Sequence, residues 1–146
     1  MFDLDVICNA LSNVHPDNKA NEQIVNTDRL EFNCWGLTAG LLGWTEKLYW
    51  VEREIMEKLI PSCSVTVSEP MVGDIAVFRD SFDELLSHTA VLTELVPEQK
   101  FIHKPGGWDL EVLTRDELEK RYGCFYGKIR EFRRSTVVKK TLDLVA

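Results

Sequence analysis

The periodicity of apolar residues changes once along this chain, near position 61, and that change limits the folds open to it. Behind Asn33 the residues Cys34-Trp35-Gly36-Leu37-Thr38-Ala39-Gly40-Leu41-Leu42-Gly43 form an apolar run, with Asn33 a good N-cap and Gly43 a natural stop, as in a buried helix. Thr45 can cap a second helix through Leu59, in which Leu48, Val51, Ile55 and Leu59 line one stripe while Glu46, Arg53, Glu54 and Lys58 face water, and Pro61 ends it. From there the period becomes two. Segments 64–67, 74–79, 88–95, 100–104 and 110–113 read as short strands divided by turn residues. A short helix follows over 115–122, opened by a Thr114/Glu117 capping box and stopped by Gly123, and a last strand alternates over 125–134. Helices first and strands afterwards predict an α+β domain, the helices packed on one side of an antiparallel sheet.

The segment before position 30 adds a helix at residues 2–11 and a polar loop at 12–29, rich enough in turn formers to form part of a binding rim. At 146 residues the chain suits a single domain, since a chain of about 150 residues buries roughly 70% of its unfolded surface. Residues 1–30 are its N-terminal helix and loop, about 30–134 its core, and 135–146 a basic extension.

Charge excludes some partners. The net charge is −7, which argues against nucleic acid as a partner of the whole protein. It is unevenly spread: residues 115–146 hold nine Lys/Arg and five Asp/Glu (+4), and residues 1–114 hold eight and nineteen (−11). The basic end reads first as a solvated strand face and second as a patch for an anionic polymer or acidic partner. No apolar run reaches the ~18–20 residues that cross a bilayer, and the first residues lack the basic start of a signal peptide, so the expectation is no membrane and synthesis in the cytoplasm.

Cys8, Cys34, Cys63 and Cys124 show neither C-x-x-C nor zinc spacing, no metal or cofactor motif is present, and all four read as reduced thiols. Cys8, Cys63 and Cys124 are expected to be structural, and Cys34 stands apart. It opens a helix, where unpaired N–H groups and the helix dipole favour a thiolate, and the same N–H groups can bind an oxyanion. His88 and His103 lie on consecutive strands that an antiparallel pairing can bring side by side. Nucleophile, base and orienting group are then all available.

The words around these residues carry a resemblance. Asn33-Cys34-Trp35-Gly36-Leu37-Thr38 resembles the Asp-Cys-Ser-Gly-Leu-Val/Thr motif of the NlpC/P60 family of cysteine peptidases. Val72-Gly73-Asp74-Ile75-Ala76-Val77-Phe78 is similar to its Pro-Gly-Asp-Leu-Val-Phe-Phe strand, and Ser87-His88-Thr89-Ala90-Val91-Leu92 to its His-Val-Gly-Ile strand. Phe101-Ile102-His103-Lys104 is similar to its Ile-His-Ala segment, and 126–134 fits its closing strand, all in family order over about 30–134.

The resemblance implies a papain-like fold, with Cys34 as nucleophile, His88 as general base, His103 as the group orienting it, and the Cys34 N–H in the oxyanion hole. It implies hydrolysis of amide bonds in peptidoglycan stem peptides through an acyl-enzyme, without a cofactor. Two departures bear on the substrate. Asn33 replaces the family's Asp, and Trp35 replaces a small Ser, which reshapes one wall of the cleft. The Tyr- and Gly-rich approach to the Cys motif is also missing, which makes Asp28, with Trp35 and Trp108, the candidate substrate-binding side chains; Gly106-Gly107-Trp108 otherwise reads as a turn with a packed aromatic.

A leaderless wall hydrolase implies release by a phage or export by a non-classical route, with an immunity, chaperone or tail-assembly protein as partner. The alternatives are a papain-like acyltransferase, deamidase or protease on a non-wall substrate, and a non-catalytic interaction or assembly module that docks through Arg130, Arg133, Arg134, Lys139 and Lys140. Asp74 is expected to be a turn acid, and Trp44 and Trp50 to be core.

Overall fold

The computed structural model describes residues 32–46, 48–104 and 110–137. The helix expected at 2–11, the loop at 12–29 with Asp28, the turn with Trp108, and Lys139 and Lys140 lie outside the described residues. The order of elements is α1 (Cys34–Leu41), α2 (Arg53–Cys63), β1 (Ser64–Val67), β2 (Ile75–Arg79), β3 (Leu86–Glu94), β4 (Lys100–His103), β5 (Glu111–Thr114), α3 (Arg115–Tyr126) and β6 (Ile129–Ser135). The six strands make one sheet in the order β1-β6-β2-β3-β4-β5, with every pairing antiparallel. The α+β class stands.

The helices do not share one side, as expected, but cover both. Ile75, Val77 and Leu86 pack with Ala39 and Leu42 at α1 and with Met56 and Ile60 of α2. Ala76, Phe78, Ala90, Leu92 and Phe101, on the opposite face, pack with Leu118 of α3. Strand β2 is therefore buried on both faces, which explains why it reads Ile-Ala-Val-Phe without polar alternation.

Asn33 caps α1 as expected: its Oδ1 accepts from the Gly36 N–H at 2.9 Å. The second helix differs. It begins at Arg53, not at Thr45, and one reason is the same asparagine. Asn33 Nδ2 donates to the Val51 carbonyl at 2.8 Å and Oδ1 accepts the Val51 N–H at 3.2 Å, so a side chain holds both backbone groups a helix would need there. The buried face of α2 is Met56 and Ile60, and Ile55 is exposed, because the later start rotates the stripe. Pro61 lies inside α2, one turn from its end, where its missing N–H leaves a single carbonyl to be served otherwise.

Helix α3 carries the predicted capping box but runs to Tyr126, so the last strand starts at Ile129 rather than 125. Gly127, with φ of +80°, makes the turn that Gly123 was expected to make. Asp74 is a turn acid as expected, its N–H donating to the Met71 carbonyl, but it does more. It is buried, accepts from the Met71 N–H, and pairs with Arg134 through Nε at 3.0 Å and Nη2 at 2.9 Å. Trp44 is half-buried, its Nε1 donating to Ser135 Oγ, whereas Trp50 is exposed rather than core. No described helix is long and apolar enough to cross a membrane.

Candidate functional site

Cys34 is the first residue of α1 and is 8% exposed. The helix lies against β3: Thr38 Oγ1 and Thr89 Oγ1 are 2.8 Å apart, and Thr89 Oγ1 donates to the Cys34 carbonyl at 3.4 Å. The sulfur meets the sheet where β4 ends. Leu92 exchanges hydrogen bonds with Asp74 and Gly73 on the β2 side, so by two-residue alternation the backbone of Thr89 faces the β4 side. Register Val91↔Ile102 puts His103, the last residue of β4, opposite Ala90. The Thr89 N–H lies beyond that ladder and serves the Cys34 sulfur instead.

His88 pairs with Phe78 and belongs to the α3 face, the side opposite Thr89. His103 is its diagonal neighbour on the same face, and the two rings meet: His88 Nε2 lies 2.8 Å from His103 Nδ1, with the planes 89° apart. The sequence-based expectation that the imidazoles stand side by side is met. Cys34 packs against Thr89 on the other face of β3, so the strand backbone lies between the thiol and the two rings. Both rings are fully buried.

One expectation fails. The helix start does not hold Cys34 as a thiolate, because burial pushes the thiol up to about 12. The N–H groups of Thr89, Trp35 and Cys34 itself, and then the Lys104 cation, pull the other way without reversing it. Burial likewise holds His88 well below the usual imidazole range, with His103 adding to the effect. His103 is lowered to about 4, by burial first, with the Glu111 carboxylate opposing and Arg121 assisting. At rest the thiol in the α1 layer and the two imidazoles in the α3 layer are all neutral.

Two neighbours of this group were not singled out from the sequence. Lys104 is buried, its ammonium 5.0 Å from the Phe32 ring centroid and acting on the thiol. Glu111 opens β5 directly opposite His103, and its Oε1 lies 3.9 Å from His103 Nε2. Its only sequence signal was its place at the start of a short strand following the histidine strand.

Trp35 lies against the α1/α2 core with the Arg53 guanidinium 5.8 Å from its ring, and its indole N–H is buried without a hydrogen bond among the described residues. The arginines of the basic end are engaged: Arg130 with Glu84, Arg133 with Glu131 and Ser64, Arg134 with Asp74. Among the described residues no group of three His, Cys, Asp or Glu is placed to hold a metal ion. Compared with protein-family models, with curated proteins and with solved structures, the chain matches none.

Proposed function

We propose that this protein is a cysteine hydrolase that cleaves amide bonds, with peptidoglycan stem peptides as the substrate class implied by its resemblance to the NlpC/P60 family. The observation that carries the reading is a hydrogen-bonded pair of buried imidazoles on the strand against which a helix-opening cysteine packs. The sulfur of a helix-opening cysteine lies against the Thr89 N–H, one peptide from His88, whose Nε2 is bonded to His103 Nδ1. A buried pair of imidazoles is costly to retain in a core that apolar residues could fill.

In this reading Cys34 attacks the amide carbonyl as a thiol whose proton leaves during the attack. The S–H proton passes to His88 Nδ1, a step that requires the sulfur and the ring, on opposite faces of β3 at rest, to be brought into contact; the S–C bond forms, and the carbonyl oxygen takes the negative charge, received by backbone N–H groups at the mouth of α1. Collapse breaks the C–N bond and His88 returns the proton to the leaving amine. Water then hydrolyses the thioester by the same path in reverse. The N–H groups of Thr89, Trp35 and Cys34 favour negative charge on the sulfur as its proton leaves.

The test is mass analysis of muropeptides after incubation with the wild-type protein and with Cys34→Ala, which should be folded and inert. Turnover retained by Cys34→Ala removes the sulfur from the reaction. Turnover of an acyl or protein substrate in place of wall fragments keeps the chemistry and replaces the substrate class. The docking-module reading loses support because Arg130, Arg133 and Arg134 already serve internal partners.

A further inference from the structure

We infer that Glu111 is a positioning residue that sets the tautomers of both imidazoles, so that Nδ1 of His88 carries the lone pair that receives the thiol proton. The inference deepens the hydrolase reading above and rests on it for the meaning of that lone pair, though not for the tautomers themselves.

A neutral imidazole has one N–H and one bare nitrogen. The 2.8 Å contact between His88 Nε2 and His103 Nδ1 holds one proton, which belongs to one ring or the other. If His88 donates, its Nδ1 is bare and can act as a base, and His103 carries its own proton on Nε2. If His103 donates, both arrangements invert: His88 is protonated on Nδ1 and cannot accept from sulfur, and His103 presents a bare Nε2. Nothing within the pair decides between the two.

Glu111 does. Register pairs it with His103 across β4 and β5, and its Oε1 stands 3.9 Å from His103 Nε2. A carboxylate there favours an N–H on that nitrogen and disfavours a lone pair, through the field of the anion rather than a closed hydrogen bond. Glu111 is itself fixed: the Tyr122 hydroxyl donates to Oε1, and Arg121 Nη1 lies 2.9 Å from Oε2. Tyr122 also stands edge-on to His103, the ring centroids 5.0 Å apart. The charged groups around His103 are thus Glu111 and its counter-ion Arg121, which opposes protonation of the ring. The outcome is an oriented neutral imidazole rather than an imidazolium. One carboxylate at the sheet edge orders two rings and, through them, the proton acceptor two residues into β3 from its start.

The experiment reads the tautomers directly, by long-range nitrogen–proton correlation on the full chain labelled at histidine, at pH 7, in a His15→Gln background that removes the third imidazole. His88 and His103 are both expected to be protonated on Nε2. In Glu111→Ala the bias is lost and both rings should show a mixture of Nε2–H and Nδ1–H forms. Against an amide substrate that the wild type turns over, its kcat should fall about 10- to 100-fold with KM unchanged. Glu111→Gln, which keeps the shape and removes the anion, should lose the wild-type pattern as Glu111→Ala does. A wild-type His88 protonated on Nδ1, or unchanged tautomers in folded Glu111→Ala, overturns the inference. If Glu111→Ala does not fold, the wild-type and Glu111→Gln spectra decide it. Because the spectra need no substrate, the expected tautomers without any turnover would sink the hydrolase reading and leave the role of Glu111 intact.

Discussion

The imidazole of His88 stands edge-on to that of His103, Nε2 2.8 Å from Nδ1, although fifteen residues separate them. The contact is a consequence of register. With His103 opposite Ala90, His88 becomes a same-face diagonal neighbour, and β2, β6 and α3 enclose the rings from the remaining directions. A one-residue slip of β4 would send His103 to the α1 face and dissolve the pair.

Acid should destabilise the protein in a defined window. Below pH ~6.5 the unfolded chain protonates His103, while the folded protein does so only near 4, so the unfolded state binds more protons between these values and stability falls as pH falls through them. Above the upper limit both states are neutral and the term vanishes. His103 alone should contribute a loss of roughly 3 kcal/mol by the bottom of the window, with His88 acting in the same direction. Urea unfolding at pH 7 and pH 4.5 measures it, and His103→Gln should flatten the dependence. A stability unchanged across that range would contradict neutral burial of the rings.

Alkylation should find Cys63 before Cys34. With its thiol pushed up to about 12, Cys34 holds ~1 sulfur in 10,000 as thiolate at pH 8, and it is buried where Cys63 is half-exposed. Peptide mass mapping after timed iodoacetamide treatment should show Cys34 labelling that keeps rising with pH and reaches no plateau below pH 9. Complete labelling of Cys34 at pH 6 would mean that the resting sulfur is ionised.

Asn33→Asp, which would restore the residue the family motif carries, should destabilise this protein by about 2–3 kcal/mol in urea unfolding. A carboxylate keeps the cap on Gly36 but cannot donate to the Val51 carbonyl, and it places a charge at a buried position. An Asp variant as stable as the wild type would show that the Val51 contact carries little.

Gly36→Ala should abolish the native packing of α1, at a cost of ~3 kcal/mol or more. A Cβ on residue 36 would lie 1.6 Å from the Tyr49 carbonyl oxygen, a backbone atom that cannot swing aside. Loss of near-ultraviolet circular dichroism reports it. A well-packed Ala variant would require the 48–52 segment to move away from α1.

Several elements were legible because their causes are local. The Asn33 cap, the Thr114/Glu117 box and the limits of β1 each depend on residues within one turn or one strand, and each stands where expected. The pairing of His88 with His103 needed only the assumption that consecutive strands run antiparallel. The start of α2 was not legible, because Asn33 reaches eighteen residues along the chain to hold Val51. Nor was the pairing of Asp74 with Arg134, sixty residues away, although its place in a turn was.

The alternation of apolar residues thus determined by itself that this chain makes helices and an antiparallel sheet, and that His88 and His103 lie on consecutive strands of it. Hydrophobic patterning states which residues leave water, but not which layer they enter. Only the tertiary structure decided that helices cover both faces, and that the helix bearing the sulfur packs on the face of β3 opposite the histidines. It also set their protonation, since desolvation depends on everything packed around a group, and here it outweighs the helix-start field that the sequence alone makes visible.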